Sequence, residues 1–233
     1  MKKIKLSLLV AILFICFGNF GVKAETDPEM IKMTAENQEE YLSSIDFRLL
    51  LQQPKKQLIE TFDVNENHWV AIGFKISDRG VIAVYDEKGS FQYGYSFICY
   101  GTFGIKWCAD DIQIYFIRSS KAATFDKNGK MLEMYVMAET ADNSIYLNRA
   151  IFATTKTVGD AQYKMKNKFA IFNVFSSSFS QIVCEDAAGN SNIIYNADGQ
   201  SCSQLVVELI TIVLVFAVAV GCLLIILIRQ SKK

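Results

Sequence analysis

The chain has 233 residues, of which 24 are basic and 24 acidic, and a single histidine. With no net positive charge there is no electrostatic footprint for nucleic acid, and one histidine excludes a histidine-rich metal centre. The hydrophobic residues, 51% of the total, include two long terminal runs that must be set aside before a core is counted.

The first run opens the chain. Lys2, Lys3 and Lys5 precede an apolar stretch from Leu6 to Phe17, and Val22-Lys23-Ala24 supplies the small residues of a cleavage site. This pattern predicts a secretory signal peptide over residues 1–24, because a helix of that apolar length is too short to cross a bilayer. A lipoprotein signal is disfavoured by bulky Ile15 ahead of Cys16.

Residues 25–54 read as a helical or partly ordered leader. Asp27-Pro28-Glu29 places a capping residue and a proline at a helix start, and "ENQEEYLSS" is rich in helix formers. The helical texture extends to about Leu51, and Pro54 ends it.

From Lys56 the texture changes to Val, Ile, Phe and Tyr with a period of two and no proline. Strands are expected at Leu58 to Asp63, His68 to Ile76, Val81 to Asp86, Phe91 to Phe97, Phe103 to Trp107, Asp111 to Arg118, Lys121 to Phe125 and Met131 to Met137. Further strands are expected at Ser144 to Thr154, Ala161 to Met165, Lys168 to Phe175, Gln181 to Glu185 and Asn192 to Tyr195. Turns rich in Asn, Asp and Gly separate them, so residues 55–204 are expected to form a mainly β domain of antiparallel meander sheets.

Asp-x-x-Gly recurs at Asp86 and Asp126, at the same place in two strand-turn-strand units, with a fainter third copy near "CEDAAG" or "NADG". "DEKGSF" and "DKNGKM" each offer one carboxylate beside a lysine, too few oxygens for calcium. The turn reading is sufficient: Asp accepts backbone N–H groups and Gly supplies positive φ.

The segments "GVIAVYDEKGSFQYGYSF" and "AATFDKNGKMLEMYVM" resemble NHL-type β-propeller repeats, in which an apolar strand, Phe/Tyr-Asp, x-x-Gly and a second apolar strand follow in order. The resemblance covers about two units, and the Asn-His-Arg segment of that repeat is missing. It implies an open, propeller-like stack of meanders; a β-sandwich satisfies the same strand pattern. The chain is also similar to uncharacterised bacterial membrane-anchored surface proteins, a likeness that implies no activity.

Four cysteines lie in the exported segment: Cys99, Cys108, Cys184 and Cys202. An extracytoplasmic site permits disulfides, and local pairing of Cys99 with Cys108 and of Cys184 with Cys202 is one expectation, buried thiols the other. The aromatic series Phe91, Tyr93, Tyr95 and Phe97 places four rings on one strand face, with Tyr100 and Trp107 nearby. It is either core or a stacking platform for sugar or peptide, and the candidate ligand contacts are Tyr93, Tyr95, Tyr100 and Trp107.

Catalytic signals are sparse. His68 has no nucleophile motif beside it, and adjacent acids such as Asp110-Asp111 point to opposite faces if they lie on a strand. No phosphate loop, nucleotide fingerprint or metal-ligand spacing is present, so neither a cofactor nor a metal is expected, and no catalytic residue is assigned.

The second terminal run, Leu205 to Ile228, contains only Glu208 as a charge and is long enough to span a bilayer, with Arg229, Lys232 and Lys233 behind it. The expectation is one transmembrane helix at 205–228 and a cytoplasmic tail at 229–233. The N-terminal domain then lies outside the cell membrane. No Leu-Pro-x-Thr-Gly motif precedes the run, so the helix itself is the expected anchor. Ala217 and Gly221 form a small-xxx-small pair that would let two helices approach, which suggests self-association. The exported segment carries 17 basic and 23 acidic residues, a net charge of −6. The partners expected are therefore the lipid bilayer around the helix and another membrane or surface protein, or a second copy, rather than nucleic acid. Overall, the sequence describes a single-pass, membrane-anchored binding or assembly module, with a cell-surface hydrolase or an accessory subunit of a membrane complex as alternatives.

Overall fold

A computed structural model describes residues 28–168, 173 and 178–200. The predicted signal peptide and membrane helix, together with Cys202, Ala217 and Gly221, lie outside the described residues. Among those described, no helix is long and apolar enough to cross a membrane.

In chain order the elements are β1 (Met30–Lys32), α1 (Ala35–Ser44), β2 (Arg48–Leu50), β3 (Thr61–Val64), β4 (Val70–Ile76), β5 (Arg79–Tyr85) and β6 (Phe91–Ile98). There follow β7 (Phe103–Cys108), β8 (Asp111–Phe116), β9 (Lys121–Phe125), β10 (Met131–Met137) and α2 (Ala141–Tyr146). A π-helical turn at Leu147–Ile151 extends α2, and β11 (Thr155–Val158), β12 (Ala161–Lys166), β13 (Gln181–Glu185) and β14 (Ser191–Asn196) complete the set. The expected mainly β, antiparallel character is what the structure shows.

The strands form three sheets: sheet I in the order β2-β6-β5-β4-β3, sheet II in the order β1-β10-β9-β8-β7, and sheet III in the order β11-β12-β13-β14. Each therefore contains a four-stranded antiparallel meander. Sheet I lies in the middle. One face packs on sheet II through Ile82, Val84, Tyr95 and Phe97 against Ile105, Ile114 and Phe125. The other packs on sheet III through Ile72, Phe74 and Tyr85 against Tyr163, Ile182 and Tyr195. Burial on both faces explains why "VAIGF" and "VIAVY" are continuous apolar runs rather than alternating ones. The first strands of the meanders come together, β3 lying beside both β7 and β11.

The leader differs from expectation. Its helix is confined to α1, which buries no residue completely, and the flanking segments are strands. β2 pairs with β6 and β1 with β10, so the leader adds a fifth strand to the outer edges of sheets I and II. Phe47, just before β2, stacks on Phe125 with ring centroids 3.9 Å apart and also touches Tyr95 and Phe97. A second correction concerns the strand expected at Ser144 to Thr154, which is largely helical. Tyr146, Leu147, Ala150 and Ile151 fall at helical spacing, and Thr140 caps α2 by accepting the N–H of Asn143. Most of the strand expected at Lys168 to Phe175 lies outside the described residues.

The Asp-x-x-Gly turns join the third and fourth strands of every sheet. Asp86 Oδ1 accepts the N–H groups of Lys88 and Ser90 at 3.0 and 2.9 Å, and Asp126 Oδ1 those of Asn128 and Lys130 at 2.9 and 2.8 Å. Asp186 Oδ1 accepts those of Ala188 and Asn190 at 2.9 and 2.8 Å, which makes "EDAAG", not "NADG", the third copy. Gly89, Gly129 and Gly189 have φ of 78°, 78° and 81°, a region costly for residues with a Cβ.

Candidate functional site

Strand direction places two sets of turns at one end of the molecule: those joining first to second strands and those joining third to fourth. The turn from β3 to β4 repeats the Asp-x-x-Gly geometry with different residues. Asn65 Oδ1 accepts the N–H groups of Asn67 and Trp69 at 3.0 and 2.9 Å, and the N–H of His68 donates to the Asn65 carbonyl. His68 occupies the glycine slot, with φ of 62°. A histidine is held there by its side chain, whose Nδ1 lies 2.9 Å from the hydroxyl of Tyr163 on sheet III.

Two clefts open between these turns. The larger, about 730 Å³, lies where β3, β7 and β11 meet and is lined by Asp63, Lys106, Trp107, Tyr146, Lys156 and their neighbours. The second, about 420 Å³, is lined by Trp69, Tyr93, Asp111, Asp126, Lys127 and Asn128. Both include Asn65, Asn67, Trp107 and Asp110, so they form one continuous groove.

At the groove floor Asp63 connects all three sheets. Its Oδ2 accepts the backbone N–H of Trp107 at 2.7 Å, and its Oδ1 lies 3.1 Å from Lys156 Nζ. The Asp63 carbonyl accepts the indole N–H of Trp107 at 3.3 Å, which fixes the ring's orientation. Lys156 also donates to the Ala150 carbonyl, and Lys106 donates to the Tyr146 hydroxyl at 2.8 Å. With side-chain exposures of 12% and 16%, Asp63 and Lys156 form a largely desolvated pair.

Of the candidate ligand contacts, the fold brings Tyr93 and Trp107 to the groove, each 8% exposed. Tyr95 is fully buried and donates its hydroxyl to the Asp126 carbonyl at 2.6 Å, so it is a core residue that holds a groove-forming turn. Tyr100 is 74% exposed and lines a separate cleft with Cys99 and Arg118 at the opposite end. The four rings of β6 do not share a face. A bulge sets Val84 opposite Tyr93 but Tyr85 opposite Phe91, so Phe91 packs with the sheet III core while Tyr93, Tyr95 and Phe97 face sheet II.

The acidic doublet also departs from expectation. Ala109, with φ of 56°, and Asp110 form the turn from β7 to β8, so strand alternation does not separate Asp110 from Asp111 and both line the groove with Asp126. Burial, then the charges of Asp126 and Asp110, raise the carboxyl of Asp111 above its ordinary value. Burial and the same three carboxylates push the Tyr93 phenol up to about 12, which keeps it a hydrogen-bond donor. Trp69, the Asn65 turn and Asp126 went unrecognised as groove residues in the sequence; the match of N-E-N-H to D-x-x-G was the available signal.

Cys99, Cys108 and Cys184 are thiols. Cys99 lies near the Phe103 end of β7 and Cys108 ends that strand, a separation of about 17 Å for a six-residue strand. A disulfide needs Cα atoms within about 7 Å, so local pairing across β7 fails on geometry. Cys184 lies opposite Tyr163 in the β12–β13 ladder. No group of three or more His, Cys, Asp or Glu among the described residues could hold a metal ion.

No family model, curated protein or solved structure matches this chain.

Proposed function

We propose that the protein is a single-pass, membrane-anchored extracytoplasmic binding module whose three meanders form an open, propeller-like stack. Its ligand is a glycan-like chain of hydroxyl-bearing rings, held in the groove at the strand-turn end. The observation that carries this reading is the convergence of both tryptophans of the chain with Tyr93, five carboxylates and three asparagines in that groove. Aromatic faces favour the apolar faces of sugar rings, and carboxylates and amides accept from and donate to their hydroxyls. The direction of β14 supports an outward-facing site. It runs away from the groove end, so a membrane helix at 205–228 would leave the groove pointing away from the bilayer.

Because Trp69 and Trp107 are the only tryptophans, intrinsic fluorescence reports on the groove directly. Titrating the full chain in detergent with a panel of cell-surface oligosaccharides should shift or quench emission, and the Trp69→Phe and Trp107→Phe variants should each remove part of that change. A panel without effect, together with affinity capture from native membranes that recovers no glycan, refutes the reading.

A cell-surface hydrolase is the second reading, favoured by the meeting of Asp110, Asp111 and Asp126 in one cleft. A carboxyl raised above its ordinary value beside a second carboxyl is the arrangement that glycoside hydrolysis uses. Turnover of a bound oligosaccharide that Asp111→Asn abolishes without weakening binding would favour this reading over binding alone.

A further inference from the structure

The outer edges of the three sheets are treated unequally. In sheet I the fourth strand, β6, is covered by β2, and in sheet II the fourth strand, β10, is covered by β1. In sheet III the fourth strand, β14, is the terminal strand, and no described segment pairs with its outer edge. Ser191, Asn192, Ile193 and Asn196 are exposed there, Ile193 to 49%. Gly89 packs over the carbonyl of Ile194 but leaves those positions on the rim.

The covering strands are short and carry charge, three residues each, with Lys32 in β1 and Arg48 in β2. Such features discourage pairing with a further chain. β14 is neither short nor charged: it is six residues long, "SNIIYN", without charge or proline, and its one irregularity is a bulge at Ile194. An uncharged, β-prone open edge is a template for strand addition.

We propose that β14 pairs antiparallel with β14 of a second copy of this chain, making one continuous sheet across a twofold axis. Two features select this occupant. A twofold pairing lays a strand against its own reversed copy, so a charge near its centre would meet its own kind, and β14 carries none. The chain beyond the described residues also runs from position 201 to 233 and contains the apolar run 205–228. On the anchored reading above, that run confines all copies to one plane close to β14, raising their effective concentration. The strand pairing itself does not depend on the groove having a ligand.

The test uses the full chain in detergent or nanodiscs. Ile193→Cys, treated with a short thiol cross-linker, should give a covalent dimer above the background of the native cysteines, whereas Leu51→Cys, at a more exposed position outside the sheets, should not. Ile193→Lys, which alters only an exposed side chain, should convert the dimer to monomer in sedimentation while Trp fluorescence stays unchanged. The proposal is overturned by absence of the Ile193→Cys dimer. It is also overturned by a dimer that survives Ile193→Lys and disappears on Ala217→Ile/Gly221→Ile, or by a monomeric full chain. Ligand binding without dimerisation would separate failure of this inference from failure of the groove reading.

Discussion

Replacing Asp63 by alanine tests whether the floor of the groove also holds the three sheets together. The substitution removes the acceptor of the Trp107 N–H and leaves Lys156, 16% exposed, without its carboxylate partner. A hydrogen bond to a charged acceptor contributes about 1.5–3 kcal/mol. Breaking a buried ion pair from one side costs about 3–5 kcal/mol, a figure that already includes the orphaned partner. A loss of about 4 kcal/mol lowers Tm by about 8–16 °C for a domain of this size. Lys156→Met should cost less, because Asp63 keeps the Trp107 N–H. Circular dichroism melts and urea titrations of both single variants and the double variant close the cycle. At 1 M salt the losses should persist, since a desolvated pair is poorly screened. An Asp63→Ala loss below about 1 kcal/mol, or additivity within about 0.5 kcal/mol, would refute the role of Asp63 as a link between sheets.

Gly89 and Gly189 share a positive φ, but a Cβ on Gly89 would lie 2.8 Å from the Ile194 carbonyl whereas one on Gly189 meets nothing within 4 Å. Both alanine variants should lose about 1–2 kcal/mol from backbone strain, and Gly89→Ala about 1–3 kcal/mol more from the clash; equal urea midpoints would contradict this. Phe47→Ala removes the ring between Tyr95, Phe97 and Phe125 and should cost about 3 kcal/mol; a neutral result in urea titration would mean that the leader is dispensable. Asp111 holds its proton more tightly in the folded chain than its ordinary value of 3.8 implies. Stability at this site therefore falls as pH rises from that value through the folded one, and it stays lower above. Asp111→Asn should raise Tm at pH 7 and leave it unchanged at pH 3; a rise of equal size at both pH values would show that charge is not the cause.

The strand pattern was legible because its punctuation is chemical. Asp-x-x-Gly and the other turns rich in Asn, Asp and Gly separate the strands, and that punctuation led to the meander. What escaped was geometry that has no composition of its own. The bulge beside Val84 reverses the face of Phe91 without changing a residue type, and the histidine in a glycine slot hides a fourth copy of the turn. The helical stretch from Ser144 to Ile151 was read as part of a strand because its β-prone residues outweighed a helical spacing spread over only a few turns. The leader strands could not be read locally, since their pairing partners lie far along the chain. The groove was visible only in part: Tyr93 and Trp107 stood out as aromatics, but their meeting with Asp110, Asp111 and Asp126 depends on how two sheets pack.

The leader's long-range pairing bears on the order of events during synthesis. A ribosome delivers β1 and β2 first, yet Leu49 must wait for Tyr95 and Ile31 for Val136 before either strand has a ladder. The leader strands are thus made before their partners and seated after them, and until they are, two sheets present uncovered rims. Conditions that delay arrival of β10 should lengthen the interval in which chaperone binding, rather than native pairing, keeps those rims apart.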